Sequence, residues 1–364
     1  MPNLLDYLAW RGDLTLRQSP FCPVDALLLS TLVYVRFESL VPSHAQQQVT
    51  IGQAAQAFLS LPEKEAQQRV RCKSDLELLQ AVARAPRFRD LPLVYARQRT
   101  QAEEEIQFAA FTVLLGEDEM CLVFRGTDAT LVGWKEDFNL SFQPVVPSQQ
   151  AALVYTAELA AAYPWRKLRL CGHSKGGNLA MYAAVLSSPP VQSRIIQVCN
   201  HDGPGFSPAV LKLPGYQTLL PRLSTFVPQS SVVGMLLEHE EPYIVIRSNQ
   251  HGVFQHDPYS WEVLGNDFVR LEQVTASSQW ISRTTKQFLI QLTPEERSAL
   301  VDGIYSLLSS GEATSVEDLF QPQNLHAILQ AVKSTDPGEL RRIAGIVGQL
   351  IRIAATSDKT LPKP

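Results

Sequence analysis

The sequence lacks any apolar run long enough to cross a bilayer. Its longest, Ala26 to Val35, falls far short of the roughly 20 residues that a spanning helix needs. It also lacks a basic block. With 32 Lys and Arg against 36 Asp and Glu, the formal net charge is -4, so there is no electrostatic footprint for nucleic acid. Cysteine is scarce: Cys22, Cys72, Cys121, Cys171 and Cys199 are odd in number and form no Cys-x-x-Cys pair. That spacing argues against a disulfide framework and against a zinc site, so reduced, mostly structural thiols are expected, with no metal and no other cofactor. Met1 to Trp10 carries Asp6 inside its apolar stretch and has neither the basic start nor the small-residue cleavage site of a secretory leader, which makes cytoplasmic residence the expectation. No internal repeat is visible, and no low-complexity tract exceeds Gln46-Gln47-Gln48.

What is present is enough apolar material for a large core: 45% hydrophobic and 19% charged residues over 364 positions. From Val24 to about Arg84 the periodicity is helical, including 26–35, 51–61 and a run opened by Ser74-Asp75-Leu76-Glu77, which fits a capping box. Beyond Pro86 and Pro92 the texture becomes strand-like. Val94 to Thr100, Ile106 to Leu115 and Met120 to Arg125 read as strands, the last two forming a hairpin across Gly116-Glu117-Asp118-Glu119. The chain then alternates: helix from about Ser148 to Tyr163, strand Lys167 to Cys171, helix Lys175 to Leu186, strand Ile195 to Asn200. Further strands are expected at Leu223 to Val227, Tyr243 to Ser248 and around Val263 to Leu271. Such alternation predicts an α/β protein with a mostly parallel central sheet. From Ser277 on, amphipathic helices are expected, among them Pro294 to Leu308 and Pro337 to Ala355. The organisation predicted is a helical N-terminal segment over 1–90, able to serve as a cap or lid, an α/β core over 91–274 and a helical C-terminal segment over 275–364.

Gly172-His173-Ser174-Lys175-Gly176 is a Gly-x-Ser-x-Gly motif in the context that gives it meaning. Leu168 to Cys171 supplies the strand, three glycines leave room for a sharp turn, and Asn178 to Ala184 continues as a helix of small residues. A serine on such a turn lies at a helix N-terminus, where free N–H groups stabilise a developing oxyanion. Ser174 is therefore the expected nucleophile, with the Lys175 N–H as one oxyanion donor. His173 is not expected to be the base, because adjacent residues of the turn point different ways.

Upstream, Leu122-Val123-Phe124-Arg125-Gly126-Thr127-Asp128, followed by Trp134 and Asp137, combines with Gly-His-Ser-Lys-Gly-Gly to resemble the class 3 lipases. That resemblance implies an α/β-hydrolase fold, Thr127 as a second oxyanion donor through its N–H and hydroxyl, and Asp137 as a brace for the loop. Leu5-Asp6-Tyr7-Leu8, Arg11-Gly12-Asp13-Leu14, His201-Asp202-Gly203-Pro204-Gly205-Phe206, Val227 to Gly234 and Gln255-His256-Asp257 with Trp261 narrow it. Together they resemble a bacterial family of uncharacterised lipase-like α/β-hydrolases over most of the chain, which implies fold and reaction class without a substrate.

A serine nucleophile needs a base and a carboxylate to orient it, in the chain order Ser, acid, His. His256, in a loop-like stretch after the strand at Tyr243 to Ser248, is the expected base, with His251 as the alternative. His326 reads as a helix-surface residue and His239, in Leu237 to Glu241, as part of a solvated face. Class 3 lipases place an Asp just before a Val-Pro pair, but Ser224-Thr225-Phe226-Val227-Pro228 offers none. Asp202 is the expected replacement, with Glu238 or no acid at all as alternatives. The function expected is a serine hydrolase that cleaves an ester or related acyl bond of a small or lipid-like substrate. A non-catalytic hydrolase-like binding protein and a thioesterase or acyltransferase are the competing readings.

Overall fold

The computed structural model describes residues 1–128, 130–140, 143, 145–308, 310, 322–335, 338 and 345–346. Helices come first: α1 (Leu4–Arg11), α2 (Pro23–Leu32), α3 (Ile51–Leu59), α4 (Glu63–Gln68) and α5 (Lys73–Arg84), with the short strand β1 (Gln48–Thr50) between α2 and α3. Strands β2 (Pro92–Gln101), β3 (Ile106–Leu114) and β4 (Glu119–Phe124) follow. Then come α6 (Leu131–Asn139), α7 (Pro147–Ala162), β5 (Lys167–His173), α8 (Lys175–Leu186), β6 (Ile195–His201), β7 (Leu223–Pro228) and β8 (Tyr243–Ile246). Short strands β9 (Val263–Leu264), β10 (Asp267–Phe268) and β11 (Arg270–Leu271) precede helices at Ala276–Gln291, Pro294–Leu308 and Pro322–Ser334. Most of the helix expected over 337–355 lies outside the described residues.

Nine strands form one sheet in the order β1-β2-β3-β4-β5-β6-β7-β8-β11. From β4 to β8 the neighbours are parallel, and the pairs β1/β2, β3/β4 and β8/β11 are antiparallel. Such a sheet, buried on both faces, explains why β4 reads as a nearly continuous apolar run. One face of β4 turns Cys121 and Val123 into the core that holds α2, alongside Cys171 of β5 and Cys199 of β6. The other face sends Phe124 against Tyr155 of α7, with ring centroids 5.8 Å apart, and α8 packs across β4, β5 and β6. The three strand cysteines thus serve as small apolar residues, and burial pushes the Cys199 thiol far above its ordinary range. This sheet, with helices on both faces and a strand-to-helix turn at Ser174, is the α/β-hydrolase fold. No helix among the described residues is long and apolar enough to cross a membrane.

Compactness divides the chain differently from the three segments expected. One unit takes Met1–Arg99, Phe108–Gly126 and Ser148–Val274, the other Thr100–Gln107, Thr127–Pro147 and the described residues from Thr275 on. In the first, every residue of α2 from Val24 to Leu32 is buried, so this helix has no polar face and forms a layer under the sheet. Its single charge, Asp25, is neutralised in place. The carboxylate accepts from Arg87 Nε at 2.7 Å, Arg87 Nη2 at 2.5 Å, Tyr7 Oη at 2.8 Å and the Cys22 N–H at 2.8 Å. In the second unit, Lys135 of α6 meets Glu105 at 2.6 Å and Asp302 at 2.9 Å, which joins the 100–107 segment and the helix Pro294–Leu308 to α6.

Local expectations failed where a side chain found a better partner than the pattern suggested. The capping box at Ser74 does not form: α5 starts one residue earlier, at Lys73, with Cys72 as its unassisted N-cap, and the Asp75 carboxylate takes the Arg71 N–H and guanidinium. The strand expected around Val263 to Leu271 is three two-residue strands, broken where Gly265 turns at φ +65°. The helical turns Pro189–Gln192, Pro208–Leu211 and Pro214–Leu219 were not expected; each opens on a proline whose fixed φ suits a first turn.

Removing one partner of a buried ion pair strands the other, so Asp25→Ala is expected to lower unfolding free energy by about 3–5 kcal/mol. Urea denaturation followed by tryptophan fluorescence measures this loss, and an unchanged midpoint contradicts the role given to the pair.

Candidate active site

Ser174 stands between β5 and α8 at φ 58°, ψ -136°, a backbone region that costs an ordinary residue energy and that the surroundings must enforce. The enforcement comes from close backbone approach. A Cβ on Gly176 would fall 2.2 Å from the Phe124 carbonyl oxygen, and one on Gly177 would fall 2.0 Å from Asn200 Oδ1. The Ser174 N–H donates to the His201 carbonyl at 2.9 Å, and its own carbonyl accepts from the Gly177 N–H at 2.9 Å. Ser174 is 8% exposed. Lys175 is buried and opens α8.

Parallel pairing of β5 with β6 sets His173 opposite His201, so the residues that follow, Ser174 and Asp202, leave the sheet side by side. Asp202 also has positive φ, 53°. Asn200 holds its turn, accepting from the Gly203 N–H at 2.8 Å and donating to the Gly203 carbonyl at 3.2 Å. The Asp202 carboxylate is fully buried and fully engaged. Oδ1 accepts from Ser231 Oγ at 2.5 Å and the Gly234 N–H at 3.1 Å, and Oδ2 accepts from His256 Nδ1 at 2.6 Å. A carboxylate opposite Nδ1 fixes the tautomer of a neutral imidazole, leaving Nε2 as its basic nitrogen. The His256 side chain is 26% exposed.

The structure therefore brings Asp202 and His256 into contact and sets the Ser174 turn beside the Asp202 turn. Among the described residues no hydrogen bond joins the Ser174 hydroxyl to the His256 imidazole. Such bonds are often long in unliganded hydrolases and tighten only with substrate. The alternatives stand elsewhere: His251 is exposed at the start of the short 3-10 turn Gly252–His256, Glu238 pairs its backbone with Phe206, and His326 is exposed on the helix Pro322–Ser334. Thr127 belongs to the second unit, where its hydroxyl donates to Asp137 Oδ2 at 2.5 Å.

His239 requires a correction, since its side chain is 1% exposed rather than solvated. Leu237 turns at φ 61° and folds the acidic stretch back, so that His239 and Glu241 point inward while Glu240 stays exposed. Burial alone would raise the Glu241 carboxyl, but hydrogen bonds from His239 at 2.8 Å, Thr225 and Tyr216 outweigh it and hold the group below its usual range.

Two further histidines at this end of the sheet were not assigned a role from sequence. His201 is fully buried, bonded through Nδ1 to the Gly172 carbonyl at 3.2 Å and stacked on Phe226 at 5.4 Å. Burial pushes it down to about 3. His173 is buried as well, with Nε2 donating to the His256 carbonyl at 2.7 Å and its ring centroid 4.5 Å from that of His256. Burial, followed by the neighbouring His256 and Arg71, holds it well below its ordinary value. The signal for His173 was its place in the motif; its direction depends on long-range packing that spacing does not encode.

The Mbeg1-like family model matches residues 82–306, more than half of the chain, and the chain belongs to that family. No curated protein matches its sequence. Solved structures with some likeness include a fungal lipase bound to an inhibitor, with 15% identity, TM-score 0.40 and coverage of 62% of this chain and 81% of that one. A triacylglycerol lipase shows 16% identity, TM-score 0.39 and coverage of 62% and 80%. A lipase–propeptide complex from Rhizomucor miehei shows 14% identity, TM-score 0.40 and coverage of 68% and 80%.

Two outcomes follow. Gly176→Ala forces a methyl group into the Phe124 carbonyl, and overpacking of this kind is expected to cost about 1–3 kcal/mol or more in urea denaturation, whereas Ser174→Ala stays near wild type. Because the depressed folded pKa of His201 lets only the unfolded chain bind its proton between about 6.5 and about 3, stability falls as pH drops through that window. In His201→Asn, denaturation midpoints at stepped pH should give a slope shallower by up to about 1.4 kcal/mol per pH unit. An unchanged slope contradicts the buried neutral state.

Proposed function

We propose that this member of the Mbeg1-like family is a serine hydrolase that cleaves an ester or related acyl bond through an acyl-enzyme on Ser174. The observation that carries the reading is the 2.6 Å contact between His256 Nδ1 and a buried Asp202 carboxylate, next to a serine held at positive φ on a strand-to-helix turn. His256 Nε2 takes the Ser174 proton as the hydroxyl oxygen attacks the acyl carbon. It then delivers that proton to the leaving alcohol, and a water activated the same way releases the acid. Asp202 keeps the imidazole in the reactive tautomer and stabilises the imidazolium. The Lys175 N–H at the start of α8 receives the oxyanion.

One feature favours an apolar acyl group: Val253 and Phe254, 62% and 72% exposed, share the turn Gly252–His256 with the base.

The second reading, a binding protein that keeps the fold without the chemistry, draws on the unformed Ser174–His256 hydrogen bond. A fluorophosphonate probe and a p-nitrophenyl acyl ester separate the two. The proposal expects the wild-type protein to label and turn over, Ser174→Ala to do neither, and Asp202→Asn to lose about 10⁴-fold in rate. Absence of labelling in the wild-type protein favours the binding protein.

A further inference from the structure

Resting on that reading of His256 as the base, we propose that His173 is a positioning residue. It fixes the backbone of the base, as the last link of a circuit of polar contacts that begins in the N-terminal helices. The His256 carbonyl only accepts, so His173 Nε2, 2.7 Å away, carries the proton. Nδ1 is then an acceptor, and it receives the Tyr34 hydroxyl at 3.1 Å. Tyr34, two residues beyond α2, lies with its ring under the Arg71 guanidinium at 3.6 Å. Arg71 forks onto the buried Asp75 carboxylate at 2.9 and 3.2 Å. Asp75 Oδ1 accepts from Tyr259 Oη at 2.9 Å. Tyr259 is only three residues past His256, so the circuit closes on the segment where it started.

The segment 256–259 is thus held at two points, at the backbone of the base by His173 of β5 and at Tyr259 by Asp75 of α5. Beyond these, the imidazole itself meets Asp202 and lies against the tilted His173 ring, 37° between their planes. With its carbonyl, one ring nitrogen and one ring face engaged, His256 has few ways to turn Nε2 away from the nucleophile. A neutral His173 suits this role: a second proton on its ring would place an N–H against the Tyr34 hydroxyl hydrogen and a cation beside the imidazolium that forms during acyl transfer. The charge on Arg71, lying over Tyr34, strengthens that phenol as a donor.

Gln at position 173 can present an N–H near the place of Nε2, whereas Phe keeps the ring and removes both polar contacts. In fluorophosphonate labelling of the full chain, His173→Phe is expected to react about 10–100-fold more slowly, the usual consequence of a misplaced catalytic group. His173→Gln is expected to recover to within about threefold, and Tyr34→Phe to fall between them. A readout independent of activity is the downfield proton resonance of the His256–Asp202 hydrogen bond, assigned by its loss in Asp202→Asn. It should be sharp in wild type and His173→Gln and exchange-broadened in His173→Phe. A wild-type protein that fails to label removes the hydrolase reading yet leaves this resonance to decide the positioning. A folded His173→Phe with wild-type resonance, or a folded His173→Gln as broadened as Phe, overturns the proposal.

Discussion

The Asp202 carboxylate is the point on which the active end of this molecule depends. A fully buried acid is costly unless each oxygen is satisfied, and here three donors come from two separate stretches of chain: Ser231 and Gly234 after β7, and His256 before Trp261. Withdraw the carboxylate and a hydroxyl, an N–H and an imidazole converge on nothing. The positive φ at Asp202 is tolerable for the same reason, since four interactions with neighbouring segments, the Asp202 N–H to Phe226 carbonyl among them, determine one backbone geometry.

That arrangement also accounts for the carboxylate missing from Val227-Pro228. The end of β7 carries no acid, but the loop beyond it is used as a clamp, its Ser231 hydroxyl and Gly234 N–H reaching back to β6. A Cβ on Gly234 would fall 2.4 Å from Asp202 Oδ1, so a glycine is needed for the approach. A carboxylate at the end of β6 rather than β7 still meets His256, because parallel neighbours end at the same edge of the sheet. The turn at Ser174 and the turn at Asp202 are consecutive along that edge.

How legible this was in the sequence differs from residue to residue. The Ser174 turn was readable because its constraints are local: a strand, glycines where backbones touch, a helix of small residues. The parallel sheet was readable because strands and helices alternate along the chain from Ser148 to Asn200. His239 was not, since a run of Glu-His-Glu-Glu looks solvated until Leu237 reverses the chain and sends alternate residues inward. The start of α5 was misread in a similar way: Ser74 and Glu77 have capping-box spacing, but the helix opens at Lys73 and packing sets the Asp75 carboxylate to serve Arg71 and Tyr259. Polar residues are the ones whose role is set at long range, whereas apolar periodicity is set by the element itself.

The same contrast explains why the N-terminal helices were read as an appendage. Periodicity shows that α2 is apolar, not where its apolar surface goes. With Val24 to Leu32 all buried, it has nowhere to lie except against the sheet, and its one charge must bring Arg87 in with it. Once α2 is a layer of the core, the residues that follow it emerge at the active edge, and Tyr34 meets His173 there. Burial of a helix with no polar face is therefore what puts a phenol beside the serine turn. Charge pairing supplies the rest: Asp75 is buried at the start of α5, so Arg71 must fold over it, and the guanidinium comes to rest on the Tyr34 ring. The polar circuit around His256 is thus the consequence of two burial problems, solved in the N-terminal layer by the nearest opposite charge.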